Sequence, residues 1–255
     1  MAKAWGADEQ LFNLPAVGGR DGVSGFVKDL RDQGMEHVFG LQDRDFGRSN
    51  FDRWRHANNP PVIFRPRFHE IENLLLDWPA LAGCELNQLR RNPRTKDELE
   101  QIALAEAAKQ PWWLACRRCS AERLAKLSAG FPTVPQLGDV SGYQEAYDHI
   151  ATSTWFQGLP AVTGEIIDQT RLDDDLRAAQ ADYAAQLSAD EWKERFSGKE
   201  VFKVLLSRIY GVPRRVSRQA DIDLAKSVAR WQCDNNAVPA EINELKNVLK
   251  QRVGL

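Results

Sequence analysis

Two short apolar runs separated by one helix-length segment constrain this chain most. Residues 11–17 read as a buried strand closed by Gly18-Gly19. Asp21 then serves as N-cap of a helix to about Gln33, with Val23, Phe26, Val27 and Leu30 on one face, and Gly34 stops it. Residues 37–42 form a second apolar strand, opened by His37, that runs directly into Asp43-Arg44-Asp45. A third strand, Val62-Ile63-Phe64, follows the turn signal Asn58-Asn59-Pro60-Pro61. Strands joined through a helix by short connections pair in parallel through a right-handed crossover, so a small parallel sheet is expected.

From about Leu74 the periodicity becomes helical. Thr95 caps a helix over 96–109, and further helices are expected over 112–129, 143–152, 164–187, 198–210, 219–232 and 239–253, with a Gly- and Pro-rich loop over 129–142. The expected fold is thus α/β, a small parallel sheet with a larger, mostly helical C-terminal part. The division falls at 1–80 and 81–255.

Charge narrows the function classes. Lys plus Arg number 34 against 36 Asp plus Glu, a net charge of −2. A generic polyanion binder is more basic than this, so nucleic-acid contact requires a local basic patch. No apolar run approaches the ~20 residues of a membrane span, and the first ten residues lack the apolar core of a signal peptide. A soluble, cytoplasmic protein without membrane contact is expected. The four Cys are too few for a disulfide scaffold, and reduced thiols are the default.

Ligands of open α/β sheets bind beyond the carboxyl ends of the strands. Asp43 stands at such an end and Asp45 two residues on, where two carboxylates leaving a strand can face one crevice and hold Mg²⁺ or Mn²⁺ through oxygen. On spacing alone an acidic turn explains Asp-x-Asp as well. Glu70 and Glu72, after the third strand, supply further carboxylates, or merely meet a helix macrodipole at its N-terminus.

Val38-Phe39-Gly40-Leu41-Gln42-Asp43-Arg44-Asp45-Phe46, followed by His69-Glu70-Ile71-Glu72-Asn73-Leu74-Leu75-Leu76-Asp77, resembles the Toprim-related effectors of bacterial anti-phage systems. The resemblance is to AriB-like effectors that accompany an ABC-type ATPase in the PARIS system, and more distantly to OLD-family nucleases. Phe196-Ser197-Gly198-Lys199-Glu200-Val201-Phe202 resembles a Gly-Lys segment found late in this group. The resemblance implies a Toprim fold and a divalent-metal-dependent nuclease that cuts DNA or RNA, transfer RNA included. Asp43, Asp45, Glu70 and Glu72 would be its Mg²⁺ or Mn²⁺ ligands. Catalysis would rest on Asp43, Asp45, Glu72 and Lys199, with Lys199 neutralising charge on the scissile phosphate. A capped helix start is the competing account of Lys199. The resemblance also implies an ABC-type ATPase partner; a homo-oligomer is a separate expectation.

Toprim proteins begin with a strand that ends in a Glu. Here residues 11–17 look like the second strand of that fold, and the nearby Glu9 precedes it, ~20 Å from the end where Asp43 stands. A truncated start, a carboxylate supplied by another element and an inactive relative all agree with this departure. The alternative function is therefore a non-catalytic Toprim-derived module that binds nucleic acid or regulates the ATPase.

Arg44, Arg48, Arg53, Arg55, Arg65 and Arg67, interleaved with Phe46, Phe51, Trp54 and His56, form the best nucleic-acid surface in the sequence; a solvated loop is its bland counterpart. Arg214, Arg215 and Arg218 make a smaller basic group. Cys116-Arg117-Arg118-Cys119 lies in a helical run without a second Cys pair, which favours two packed thiols over a zinc or redox site. Neither a Gly-x-x-x-x-Gly-Lys phosphate loop nor a Gly-x-Ser-x-Gly elbow occurs. Trp112, Trp113, Trp155 and Trp192 are expected mostly in the core.

Overall fold

In a computed structural model of the chain, described for residues 2–11, 20–44, 62–127, 138–153, 169–189, 191–210 and 218–255, helices dominate around a small parallel sheet. Helix α1 (Arg20–Asp32) ends as expected. Gly34 adopts φ +88°, its N–H bonding Arg31 O, while the Met35 N–H reaches back to Leu30 O. That left-handed stop is the closure a Gly permits. Val27 is buried, but Phe26 is 39% exposed: the packed face follows Val23 and Val27, and Phe26 lies off it.

Strands β1 (Gly40–Leu41) and β2 (Ile63–Phe64) pair in parallel, Gly40 opposite Ile63 and Leu41 opposite Phe64. The ladder is completed by Gly40 N–H to Val62 O at 2.8 Å and Gln42 N–H to Phe64 O at 2.9 Å. Both strands are shorter than expected for physical reasons. The Arg31 guanidinium takes the carbonyls of Glu36 and Val38, so the chain turns there and His37 lies in that turn instead of opening a strand. Pro66, with no N–H to give, closes the other side. Gly40 lets α1 lie on the sheet, since a Cβ there would stand 2.8 Å from Val23 Cγ1 and 2.6 Å from Ile63 Cδ1. The expected strand over 11–17 is not observed at its first residue, because Leu11 closes a 3₁₀ segment, Ala2–Leu11; residues 12–17 lie outside the described residues.

The helical part comprises α2 (Trp78–Gly83), α3 (Glu85–Gln88), α4 (Lys96–Ala107), α5 (Pro111–Leu127), α6 (Tyr143–Ala151), α7 (Gln169–Ser188), α8 (Trp192–Arg195), α9 (Gly198–Tyr210), α10 (Arg218–Asp234) and α11 (Ala240–Val253); α4 to α7 and α9 to α11 follow the expected order, and the short α2, α3 and α8 are additional to it. Thr95 caps α4 through a reciprocal box: its Oγ accepts from the Glu98 N–H at 3.2 Å, and the Glu98 carboxylate accepts from the Thr95 N–H at 2.9 Å. Helix α5 packs along α7, and α9 along α4. The larger core gathers Trp78, Leu81, Leu99, Trp113, Leu114, Leu172, Leu176, Trp192, Phe196 and Leu205. Within it Cys116 and Cys119 are free, buried thiols, each pushed up to about 12 by burial. Trp155 and Arg214–215 lie outside the described residues.

A smaller core joins both ends of the sequence. Trp5, Phe64 and Leu74 pack with Ala229 of α10 and with Ile242, Leu245 and Leu249 of α11. Trp5 Nε1 donates to Ile242 O, and Lys246 and Lys250 both pair with Asp8. The sheet is therefore covered by α1 and by residues of the last helix. No helix among the described residues is long and apolar enough to cross a membrane.

Candidate functional site

Asp43 leaves β1 two residues beyond its last paired position, at the carboxyl end of the sheet. Its two oxygens serve two elements. Oδ1 accepts the Ile71 N–H at 2.9 Å, and Oδ2 accepts the Lys199 ammonium at 2.7 Å, across 156 positions of sequence. Ile71 opens a 3₁₀ turn, Ile71–Leu75, whose second residue is Glu72. Glu72 Oε2 stands 3.8 Å from the same ammonium, is buried, and has no hydrogen-bond partner. Burial raises the Glu72 carboxyl to about 7, an effect that the Lys199 charge only partly offsets. Burial works against the Lys199 charge too, yet Glu72, Asp43 and Glu70 outweigh it and lift the amine above the ordinary lysine value. Asp43, Glu72 and Lys199, from three separate segments, thus meet in one place.

Lys199 arrives in this place because the first turn of α9 is fixed from several sides. Glu70, buried, receives the Ser197 hydroxyl at 2.9 Å and the Lys199 backbone N–H at 2.8 Å on one oxygen, Oε2. A carboxylate at a helix N-terminus meets otherwise unpaired amides and the positive end of the dipole. Ser197 Oγ also accepts from the Glu200 N–H at 3.4 Å. Gln110, fully buried, bonds both the N–H and the carbonyl of Ser197. Asn73 completes the frame: its amide donates to Lys193 O and Phe196 O at 2.7 and 3.0 Å and its carbonyl accepts the Glu70 N–H. Gly198 permits the contact, because a Cβ there would fall 2.4 Å from Asn73 Oδ1 and 2.7 Å from the Asn73 backbone nitrogen.

Where it is described, the Arg-rich segment is engaged within the chain, with Arg44 and Arg65 half-buried and Arg67 exposed. Arg44 donates to Arg67 O at 2.9 Å, and burial beside Arg195 lowers its pKa. Arg65 makes two bonds to Gln42 Oε1, and Gln42 in turn donates to Ser24. Arg67 pairs with Glu194 at 3.0 Å and lies over the Phe68 ring. Asp45, Arg48, Arg53 and Arg55 lie outside the described residues. His69, whose N–H bonds Glu194 O, is buried, and desolvation takes its imidazole down to about 3, so it is neutral at physiological pH.

Sequence reasoning missed three parts of the site. Gln110 carries no local signature, since a Gln before a helical Pro is ordinary. Asn73 lies in the Ile-Glu-Asn stretch, where the sequence gives it no role of its own. Ser197 did leave a signal, the Ser-x-x-Glu spacing of Ser197 and Glu200 that marks a helix start. Lys199 lies in a capped first turn, and its side chain reaches the carboxylates of Asp43 and Glu72.

A divalent cation fits the donors that meet here. Asp43 and Glu72 offer hard oxygens to one positive charge, and the buried Glu72 Oε2 lacks a hydrogen-bond donor. Glu70 Oε2 is engaged in holding α9, so it stands beneath the pair. No group of three His, Cys, Asp or Glu side chains comes together as a ready metal cage among the described residues. Mg²⁺ commonly takes only one or two carboxylates and keeps its waters, so two suffice. Compared with protein-family models, with curated proteins and with solved structures, the chain matches none.

Proposed function

We propose that the chain is a divalent-metal-dependent nuclease of Toprim type, acting on DNA or RNA, transfer RNA included, as the effector of an anti-phage system. The observation that carries this reading is the convergence of Asp43, Glu72 and Lys199, from three separate segments, at the carboxyl end of a parallel sheet. Asp43 and Glu72 would hold Mg²⁺ or Mn²⁺, with Asp45 adjacent in sequence. A cation held there would supply Lewis acidity toward a phosphoryl oxygen and toward the attacking water. Lys199 neutralises phosphate charge as a point cation, and Glu70, Ser197, Gln110 and Asn73 keep its helix in place. Burial of Glu72 lowers the local dielectric, which strengthens each of these charges. In this reading the protein works in the cytoplasm as a homo-oligomer whose helical part docks on an ABC-type ATPase.

A second reading has its own observation. Lys199 already balances Asp43 and Glu72, as a permanent internal counter-ion would, and that suits a non-catalytic module that binds nucleic acid or regulates the ATPase. One experiment separates the two. Supercoiled DNA and total tRNA are incubated with the protein under titrated Mg²⁺ and Mn²⁺, beside Asp43→Asn and Glu72→Gln. Metal-dependent cutting lost in both variants supports the nuclease. Equal cutting by parent and variants removes the catalytic assignment, and no cutting with retained nucleic-acid binding establishes the second reading.

A further inference from the structure

The ammonium of Lys199 occupies the position between two carboxylate oxygens that a small cation would take, 2.7 Å from Asp43 Oδ2 and 3.8 Å from Glu72 Oε2. It reaches there on a side chain that is 43% exposed, so a path to solvent is open to it. Its backbone, in contrast, is held: the Lys199 N–H is bonded to Glu70, and the adjoining Ser197 is clamped by Gln110. A tethered cation on a fixed base can leave and return without moving the helix. Neither carboxylate can be satisfied twice at the same point, since two cations a few ångströms apart repel strongly at low dielectric.

We propose that Lys199 is the resident cation of the Asp43–Glu72 pair, and that entry of a divalent ion and exit of the Lys199 ammonium are a single exchange. The device rests on the cation-binding reading of this pair and deepens it. In the metal-free protein Lys199 keeps two close carboxylates together that would otherwise repel. When the divalent ion takes over that task, the ammonium swings outward into solvent, charged and tethered beside the site, where an incoming phosphate meets it. Metal loading thereby prepares the anion-binding group, and the protein lacking metal presents Asp43 and Glu72 already neutralised.

The test uses the full chain and Mn²⁺ alone. Binding is measured by the loss of the free-Mn²⁺ paramagnetic resonance signal for the parent, Lys199→Met and Asp43→Asn. Methionine keeps most of the side-chain stem and removes the charge. Lys199→Met is expected to bind Mn²⁺ at least tenfold more tightly than the parent, and Asp43→Asn to lose the site. A second measurement needs no variant: amine acetylation of the parent, read residue by residue with mass spectrometry. Saturating Mn²⁺ is expected to raise modification of Lys199 several-fold and leave Lys203, paired with Glu200 one turn on, unchanged. Mn²⁺ binding with Lys199 acetylation unchanged, or with Lys199→Met no tighter than the parent, overturns the exchange and leaves the cation site standing. Absence of Mn²⁺ binding in both parent and Lys199→Met overturns the site and the exchange together. Should Lys199→Met fail to fold, the acetylation of the parent decides alone.

Discussion

Substituting Gly198 by Ala sets helix propensity against packing at a single position. Gly198 is the first residue of α9, where Ala is worth up to about 1 kcal/mol more than Gly if nothing else changes. Here a Cβ would stand 2.4 Å from Asn73 Oδ1, 2.7 Å from its Cγ and 2.7 Å from its backbone nitrogen. The last of these atoms cannot rotate away. Separation of the two segments costs about 1–3 kcal/mol of over-packing. It also strains the bonds that Asn73 makes to Lys193 O, Phe196 O and the Glu70 N–H, each worth about 1 kcal/mol when buried. After the propensity gain is subtracted, the net loss is about 3 kcal/mol. For a chain of this size that lowers the thermal midpoint by roughly 6–12 °C. The internal control is Gly25→Ala in α1, where a Cβ meets nothing within 4 Å and a gain of about 0.5–1 kcal/mol is expected. Urea titrations and calorimetry of both variants measure these values. A midpoint for Gly198→Ala equal to or above that of the parent would refute the close approach, and with it the account of how Lys199 is positioned.

Three further outcomes are expected. Glu72 titrates near 7 in the folded, metal-free protein against an ordinary 4.5, so the folded state binds its proton more tightly than the unfolded chain does. Its contribution is full below pH 4.5 and is lost as pH rises through 7; discounted for the 30% of the side chain in water, the loss is about 2 kcal/mol. Glu72→Gln should therefore gain stability relative to the parent between pH 5 and pH 8 in metal-free urea titrations, and a constant difference would contradict the desolvation of that carboxyl. Removing the Thr95 cap with Thr95→Ala should cost about 1 kcal/mol in the same assay, an effect absent if α4 starts elsewhere. Thiol titration at pH 8 should show Cys84, Cys116 and Cys119 protected in the native protein and reactive in denaturant, with Cys233 the first to react; early modification of Cys116 or Cys119 would mean that α5 is not packed as described.

Helix ends were the most legible part of this fold, because their signals are local. The Thr95–Glu98 box and the Gly34 stop operate through atoms within a few residues of each other. The strands were legible in kind and in parallel sense but not in length, since their ends are set by Arg31 reaching the carbonyls of Glu36 and Val38. Phe26 shows the same limit, because periodicity marks a face and the partner decides how wide the packed stripe is. At the site, Asp43, Glu72 and Lys199 stand out individually as charged residues beside apolar elements. Their meeting depends on Asn73 and Gln110, whose contacts lie 87 to 123 residues away and leave no nearby trace. Glu70 stands beside Glu72 in sequence as a candidate metal ligand. Hydrogen bonds to Ser197 and to the Lys199 amide give it a different task.

The smaller core sets a timetable for folding during synthesis. Trp5 reaches its acceptor, Ile242, across 237 positions. Its apolar partners in α11 emerge from the ribosome long after it. At ~5–20 residues per second, Trp5 and Phe64 wait on the order of ten seconds or more for that helix. The helical part can assemble around its own core during this interval. The sheet that carries Asp43, already lined by α1, gains the part of its cover that α11 supplies only at the end of that interval.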